Sequence, residues 1–244
     1  MRLARLGLVT LAAAAASCGS TGVEPAPDPT LRILFIGNSL TYANDLPAVV
    51  RRLGQSDPSR SVVVSSVAFG DYSLEDHWNR GDAQRAIASA RWDLVVLQQG
   101  PSALAESRAL LIDYTTRFAG EIRKIGGRPA LYMVWPPMSR ETEWSAVSAS
   151  YAAAAEAVNG LLLPAGEALR AVRAGTPSIP LFEGDGFHPS VAGTYAVALV
   201  VYARAAGVSP VGLTVRAGGS SLPPAYVPAL ETGAAQAIAE AGGN

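Results

Sequence analysis

Two short segments at opposite ends of the chain carry residue types that could do nucleophilic chemistry. Near the start is Gly37-Asn38-Ser39-Leu40-Thr41, and near the end is Asp185-Gly186-Phe187-His188-Pro189-Ser190. A serine hydroxyl is a poor nucleophile at neutral pH. It needs a neighbouring base, usually an imidazole whose tautomer is fixed by a carboxylate. The chain has only two histidines, His77 and His188. His188 follows Asp185 by three residues, close enough for the carboxylate to hold one ring nitrogen while the other faces a serine. The chemistry this suits is acyl transfer, with Ser39 as nucleophile, His188 as base and then acid, and Asp185 as the orienting group.

Such groups must be positioned by elements that the sequence pattern predicts. Leu31 to Ile36 is an apolar run fit for a first strand buried on both faces. Asn44 and Asp45 can cap a helix with Leu46, Val49, Val50 and Leu53 on one side, and Pro47 is tolerated in its first turn. Ser61 to Ala68 is β-branched and reads as a second strand, which ends at Phe69-Gly70-Asp71. Residues 82 to 90 read as a short helix and Asp93 to Gln98 as a third strand. A helix from about Ser107 to Ile125 has Leu110, Leu111, Tyr114, Phe118 and Ile122 on its apolar face and stops at Gly126-Gly127. Further on come a strand over Pro129 to Trp135, an Ala-rich helix over Ala146 to Val158, a short strand over Leu161 to Leu163, a helix over Gly166 to Arg173, and a helix from Pro189-Ser190 to about Ala206.

Strands alternating with helices imply a three-layer α/β/α architecture around a parallel, doubly wound sheet of about five strands. Ligands of such sheets collect outside the carboxyl ends of the strands. Four segments meet there: the Ser39 turn, Phe69-Gly70-Asp71, Gln98-Gln99-Gly100-Pro101-Ser102, and the Asp185–His188 loop. Trp135 to Met138 leaves the fourth strand on the same rim, where an aromatic could stack on a sugar or an acyl chain.

In that order the blocks resemble those of the SGNH (GDSL-like) hydrolase superfamily over about residues 31 to 206. The resemblance implies a flavodoxin-like SGNH hydrolase fold, the triad Ser39, His188 and Asp185, and an oxyanion hole built from the backbone N–H groups of Ser39 and Gly70. The superfamily's third block normally ends in G-x-N-D with an asparagine donor. Here the matching stretch is Gly100-Pro101-Ser102-Ala103; a glutamine amide can serve instead, with Gln99 favoured over Gln98, and a polar strand end satisfying backbone groups is the rival reading of the pair. That departure points to an acetylesterase-like branch. Gln98, Ser102, His77 and Trp135 are then candidate substrate contacts. For His77, a role in holding its loop leads and substrate contact is the rival reading; for Trp135, core packing stands level with a ligand contact.

Other reaction classes fit poorly. An α/β-hydrolase carries its serine in G-x-S-x-G midway along the chain. Two histidines and a single cysteine, Cys18, leave too few ligands for a zinc site. The expected mechanism needs no metal or organic cofactor. Formal net charge is −1 without a run of like charges, which argues against a nucleic-acid partner.

The N-terminus has the parts of an export signal: Arg2 and Arg5, an apolar stretch from Leu6 to Ala16, then small residues. Ala15-Ala16-Ser17-Cys18 resembles a bacterial lipobox, making Cys18 the expected lipidation site of an envelope lipoprotein. Residues 1–18 are thus read as signal, 19–30 as a flexible tether, and 31–244 as one hydrolase domain with a C-terminal helix. The expected partner is a carbohydrate or small-molecule ester, and a small acyl group on a carbohydrate leads. A short-chain lipid ester, or a non-hydrolytic acyltransferase or glycan-binding relative, stays open.

Overall fold

The computed structural model describes residues 30–56, 60–213 and 222–242. The export signal, Cys18 and all of the tether except Thr30 lie outside the described residues, and Thr30 itself opens the first strand.

Five parallel strands form one sheet: β1 (Thr30–Gly37), β2 (Ser61–Ala68), β3 (Leu94–Leu97), β4 (Arg128–Tyr132) and β5 (Leu161–Leu163), in the order β2-β1-β3-β4-β5. The register sets Gly37 beside Ala68 and Ile36 beside Leu97, so the chain leaves β1, β2 and β3 at one level. Because β2 lies to one side of β1 and β3 to the other, the order reverses between β1 and β3. The crevice at such a reversal is where α/β sheets bind ligands.

The helices are α1 (Ser39–Tyr42), α2 (Leu46–Gly54), α3 (Leu74–Arg80), α4 (Asp82–Ala88), α5 (Ala105–Lys124), α6 (Trp144–Ala157), α7 (Ala165–Gly175), α8 (Val191–Ala206) and α9 (Val227–Glu240). Helices α2, α7, α8 and α9 pack together on one face of the sheet, and α3 to α6 on the other. This is the expected three-layer doubly wound architecture. Helix α8 is buried along its whole length from Ala192 to Ala203, which is why its sequence is apolar all round. The core runs through Ile33 to Ile36, Val95 to Leu97 and Ala130 to Trp135, all but sealed from solvent.

Two sequence readings are corrected here. The fourth strand ends at Tyr132 rather than Trp135, because its only outer neighbour, β5, has three residues and pairs with Ala130 to Tyr132. Met133 to Trp135 stays apolar because it is buried, not because it is in the ladder. Leu110 was expected on the buried face of its helix, whereas it is 43% exposed on α5 and lines the cleft described below.

Candidate active site

The turn after β1 is fixed before any catalytic contact is made. Gly37 has no room for a side chain, since a Cβ there would lie 2.3 Å from Thr41 Oγ1 and 2.4 Å from Gln98 Oε1. Asn38 caps α1 by accepting the Leu40 N–H, while its amide donates to Tyr72 O at 3.1 Å. Ser39 is the first residue of that helix. Phe69 N–H donates to Gly37 O at 3.2 Å, so the Gly70 turn runs alongside the serine. Among the described residues, no hydrogen bond engages the N–H of Ser39 or of Gly70. A Cβ at Gly70 would meet only Tyr42 Oη, at 3.4 Å, so the protein itself does not crowd that position.

The opposite wall is the loop between α7 and α8. A bridge pairs Phe182 with Pro189, and Glu183 N–H donates to His188 O at 2.8 Å. Gly186 takes φ +65°, a left-handed conformation that glycine adopts at little cost. Within this turn, Asp185 Oδ1 accepts the N–H groups of Phe187 and His188 at 2.8 and 2.9 Å. Asp185 Oδ2 lies 2.5 Å from His188 Nδ1. The imidazole hydrogen bond and the backbone N–H bonds push the Asp185 carboxyl down to about 2, leaving it ionised at neutral pH.

The two walls meet at the catalytic distance. His188 Nε2 is 2.9 Å from Ser39 Oγ, within the range a proton transfer requires. Asn44, on the serine side with φ +49°, donates to Pro189 O at 2.8 Å and Thr194 Oγ1 at 3.0 Å. That one amide ties the serine helix to the start of α8, directly behind His188. From the other direction, Met138 N–H donates to Gly186 O at 2.9 Å and Trp135 Nε1–H to Phe187 O at 2.9 Å.

Beside Ser39 lies a cleft of about 410 Å³. Its walls include Asp71 and Tyr72 after β2, Gln99 to Ser102 after β3, Pro137 and Arg140 after β4, and Phe187. Four of the expected positions, Ser39, Gln99, Ser102 and the Phe187–His188 turn, are therefore at one place.

The two adjacent glutamines separate by their valences. Gln98 is fully buried, and its amide is fully engaged: Oε1 accepts from Asn38 N–H and the Thr41 hydroxyl, while Nε2 donates to Asn38 Oδ1 and Gln99 O. An amide has two donor hydrogens, so Gln98 has none left for a ligand, and the expectation that it touches substrate is corrected. Gln99 Oε1 accepts the Leu74 N–H at 3.1 Å and Nε2 donates to Ser102 Oγ at 2.8 Å. Its second N–H has no acceptor among the described residues, and Gln99 lines the cleft. Tyr151 holds that stretch from beneath, donating from its hydroxyl to Gln99 O at 2.6 Å and accepting Gln99 N–H at 3.2 Å.

The substrate-contact reading fails for two further candidates. His77 has no exposed surface, so it cannot touch a substrate. It sits in α3, and its Nε2 lies 2.8 Å from Gly37 O, beneath the serine turn and against the rings of Phe69 and Tyr72. Burial is the main reason its pKa is lowered, which keeps it neutral and donating. Trp135 is likewise fully buried and tethers the His188 loop instead of facing a ligand. Sequence reasoning missed Asn44 as a tether, Tyr151 as a clamp, and Leu110 and Arg140 as cleft residues. The D-x-x-H pairing gave no signal for them, since they lie on elements chosen only for helix periodicity or not assigned at all.

No protein-family model and no curated protein matches the chain. Solved structures do. A serine, an imidazole and a carboxylate joined at the reversal of a parallel sheet define the class as an α/β/α hydrolase. A protein from Slackia heliotrinireducens assigned to the SGNH hydrolases is 30% identical, covers 71% of this chain and is itself covered over 97%, with a TM-score of 0.60. The chain belongs to the SGNH hydrolases. A DUF4886 family protein from Bacteroides uniformis shares the fold over 86% of this chain and 95% of its own, at 17% identity and a TM-score of 0.72. A catalytic mutant of an acetylxylan esterase from Geobacillus stearothermophilus does so over 74% and 96%, at 18% identity and a TM-score of 0.56.

Proposed function

We propose that the protein is a serine ester hydrolase that removes a small acyl group, an acetyl in the first instance, from a carbohydrate. The observation that carries this reading is the continuous chain from Ser39 Oγ through the His188 ring to Asp185, with steps of 2.9 and 2.5 Å, opening on a cleft. In the first half-reaction His188 Nε2 takes the Ser39 proton as Oγ attacks the ester carbonyl. The oxyanion rests on the Ser39 and Gly70 N–H groups and on the unengaged N–H of Gln99. His188 then gives its proton to the departing alcohol, leaving an acyl-Ser39 ester. In the second, His188 deprotonates water, which attacks the acyl carbonyl, and the proton returns to Ser39 as the acid leaves. Asp185 keeps the Nδ1–H tautomer throughout.

Support for a carbohydrate acetate comes from the short, mixed character of the cleft walls, with Ser73, Ser102 and Ser107 among Tyr72, Leu110 and Phe187. The esterases with similar folds that are named for acetylxylan and acetyl-xylooligosaccharides point the same way. The same reading takes Arg2, Arg5, Leu6 to Ala16 and Cys18 as the lipoprotein signal of a cell-envelope enzyme. The test is hydrolysis of aryl acetate, butyrate and octanoate and of an acetylated oligosaccharide by wild type, Ser39→Ala and His188→Ala. Acetate should be preferred, and each variant should lose at least about 10³-fold in kcat. Activity retained in both variants would falsify the triad; a preference for octanoate would move the substrate to lipid esters.

A further inference from the structure

The cleft lining carries one acidic and one basic side chain. Among the residues lining it, Asp71 and Arg140 are the ionised ones. Asp71 follows β2 and Arg140 follows β4, with β1 and β3 between them in the sheet. Ser39 follows β1, so in strand order it leaves the sheet between the strands that lead to the two charges. Arg140 is held in place by its own backbone: it breaks the short 3₁₀ turn Met138–Glu143 at φ −127°, ψ 34°, and its N–H donates to Pro137 O at 2.8 Å. The same turn is pinned to the His188 loop through Met138 and Gly186. Its guanidinium meets one carboxylate, Glu143, at 3.2 Å, and its side chain makes no other polar contact among the described residues. A guanidinium has five N–H donors in a fork that matches a carboxylate, so donors remain for a ligand.

Direction follows from the chemistry. His188 protonates the leaving alcohol, so the alcohol part of the ester lies on the side of the His188 loop, where Arg140 stands. The acyl chain is left to the side of the cleft away from that loop, where Asp71 lies and a negative charge on the chain is unfavourable. We propose that the alcohol carries a carboxylate, which Arg140 binds, and that the acyl group is uncharged. In the carbohydrate reading the substrate is an O-acylated acidic sugar of the uronate type. This rests on the ester-hydrolase reading above.

The test uses para-acetoxybenzoate and the neutral para-acetoxybenzamide, with each enzymatic rate divided by the rate of hydroxide hydrolysis of the same ester. Wild type should favour the carboxylate by about three- to fivefold in kcat/KM, mostly through KM, the upper end of what an exposed charge pair contributes. The preference should shrink as salt rises to about 0.5 M. Arg140→Gln should bring the corrected ratio to about one, while Arg140→Lys should keep part of it; thermal melts confirm that both variants are folded. A flat ratio in wild type, or one unchanged in Arg140→Gln, overturns the inference. Loss of all hydrolysis in Ser39→Ala together with a flat ratio defeats the charge reading alone. Hydrolysis that survives Ser39→Ala defeats the ester-hydrolase reading beneath it.

Discussion

Replacing Gln99 by methionine tests the least usual part of the site. The side chains have similar length and volume, but methionine can neither donate nor accept as an amide does. Three things are lost: the bond from Gln99 Nε2 to Ser102 Oγ at 2.8 Å, the acceptor of the Leu74 N–H at 3.1 Å, and the second N–H, which has no acceptor among the described residues. The first two concern folding. Leu74 is fully buried, so leaving its N–H without a partner costs about 1–3 kcal/mol, which a thermal or urea melt would read. The third concerns the transition state. Removing one oxyanion donor costs about 10²–10³ in kcat, or about 2.7–4 kcal/mol. Steady-state hydrolysis of an aryl acetate, run well below the melting temperature, separates the two effects. The donor role predicts that kcat and kcat/KM fall together while KM stays nearly constant. A folded Gln99→Met enzyme with kcat within about threefold of wild type would refute the assignment.

Further outcomes concern the groups that hold the triad together. Asn44→Gly keeps the positive φ but removes both bonds to the α8 end, so stability should fall by about 2 kcal/mol. The activity of this variant should fall by about tenfold as the serine and histidine walls lose their register; full activity in a folded variant would show that the tether is idle. His77 is kept neutral by burial, and its lowered pKa has a definite sign. The stability it contributes is complete above its ordinary value of 6.5 and is lost as pH falls from there through the lowered value, because only the unfolded chain takes up a proton in that window. The slope is at most about 1.4 kcal/mol per pH unit. Urea midpoints at about pH 7.5 and pH 5 should therefore differ less in His77→Gln than in wild type, and equal differences would contradict a neutral buried ring.

Much of this was legible in the residues, for identifiable reasons. β2 and β5 begin and end where the β-branched and leucine runs do, because each is bounded by turn residues. The triad was readable because Asp185 and His188 are close in sequence and Ser39 follows an obvious strand. Residue type alone could not say which way a polar side chain at a strand end would turn. Gln98 and Gln99 are identical neighbours just past the end of β3, yet one amide turns beneath the serine turn and the other residue lines the cleft. His77 and Trp135 both stand near the rim in sequence and both turn inward. Helix α3 was not assigned although Ser73 and Asp76 form a capping box at its start. Arg140 lies in a turn whose course is set by bonds to Gly186, more than forty residues away.

The triad is unevenly built, and that has a consequence for how the enzyme comes into being. Asp185 and His188 belong to one tight turn, so the acid–base half needs only a few residues to find its geometry. Ser39 joins them across 149 residues, a closure that waits until the sheet and α8 have packed. Such long-range contacts are the slow part of folding. The imidazole and its carboxylate can thus form in a chain that is still inert, and hydrolysis begins only when the last distant contact is made. If the proposed signal carries it across a membrane unfolded, the protein would hold no reactive serine until it had folded on the far side.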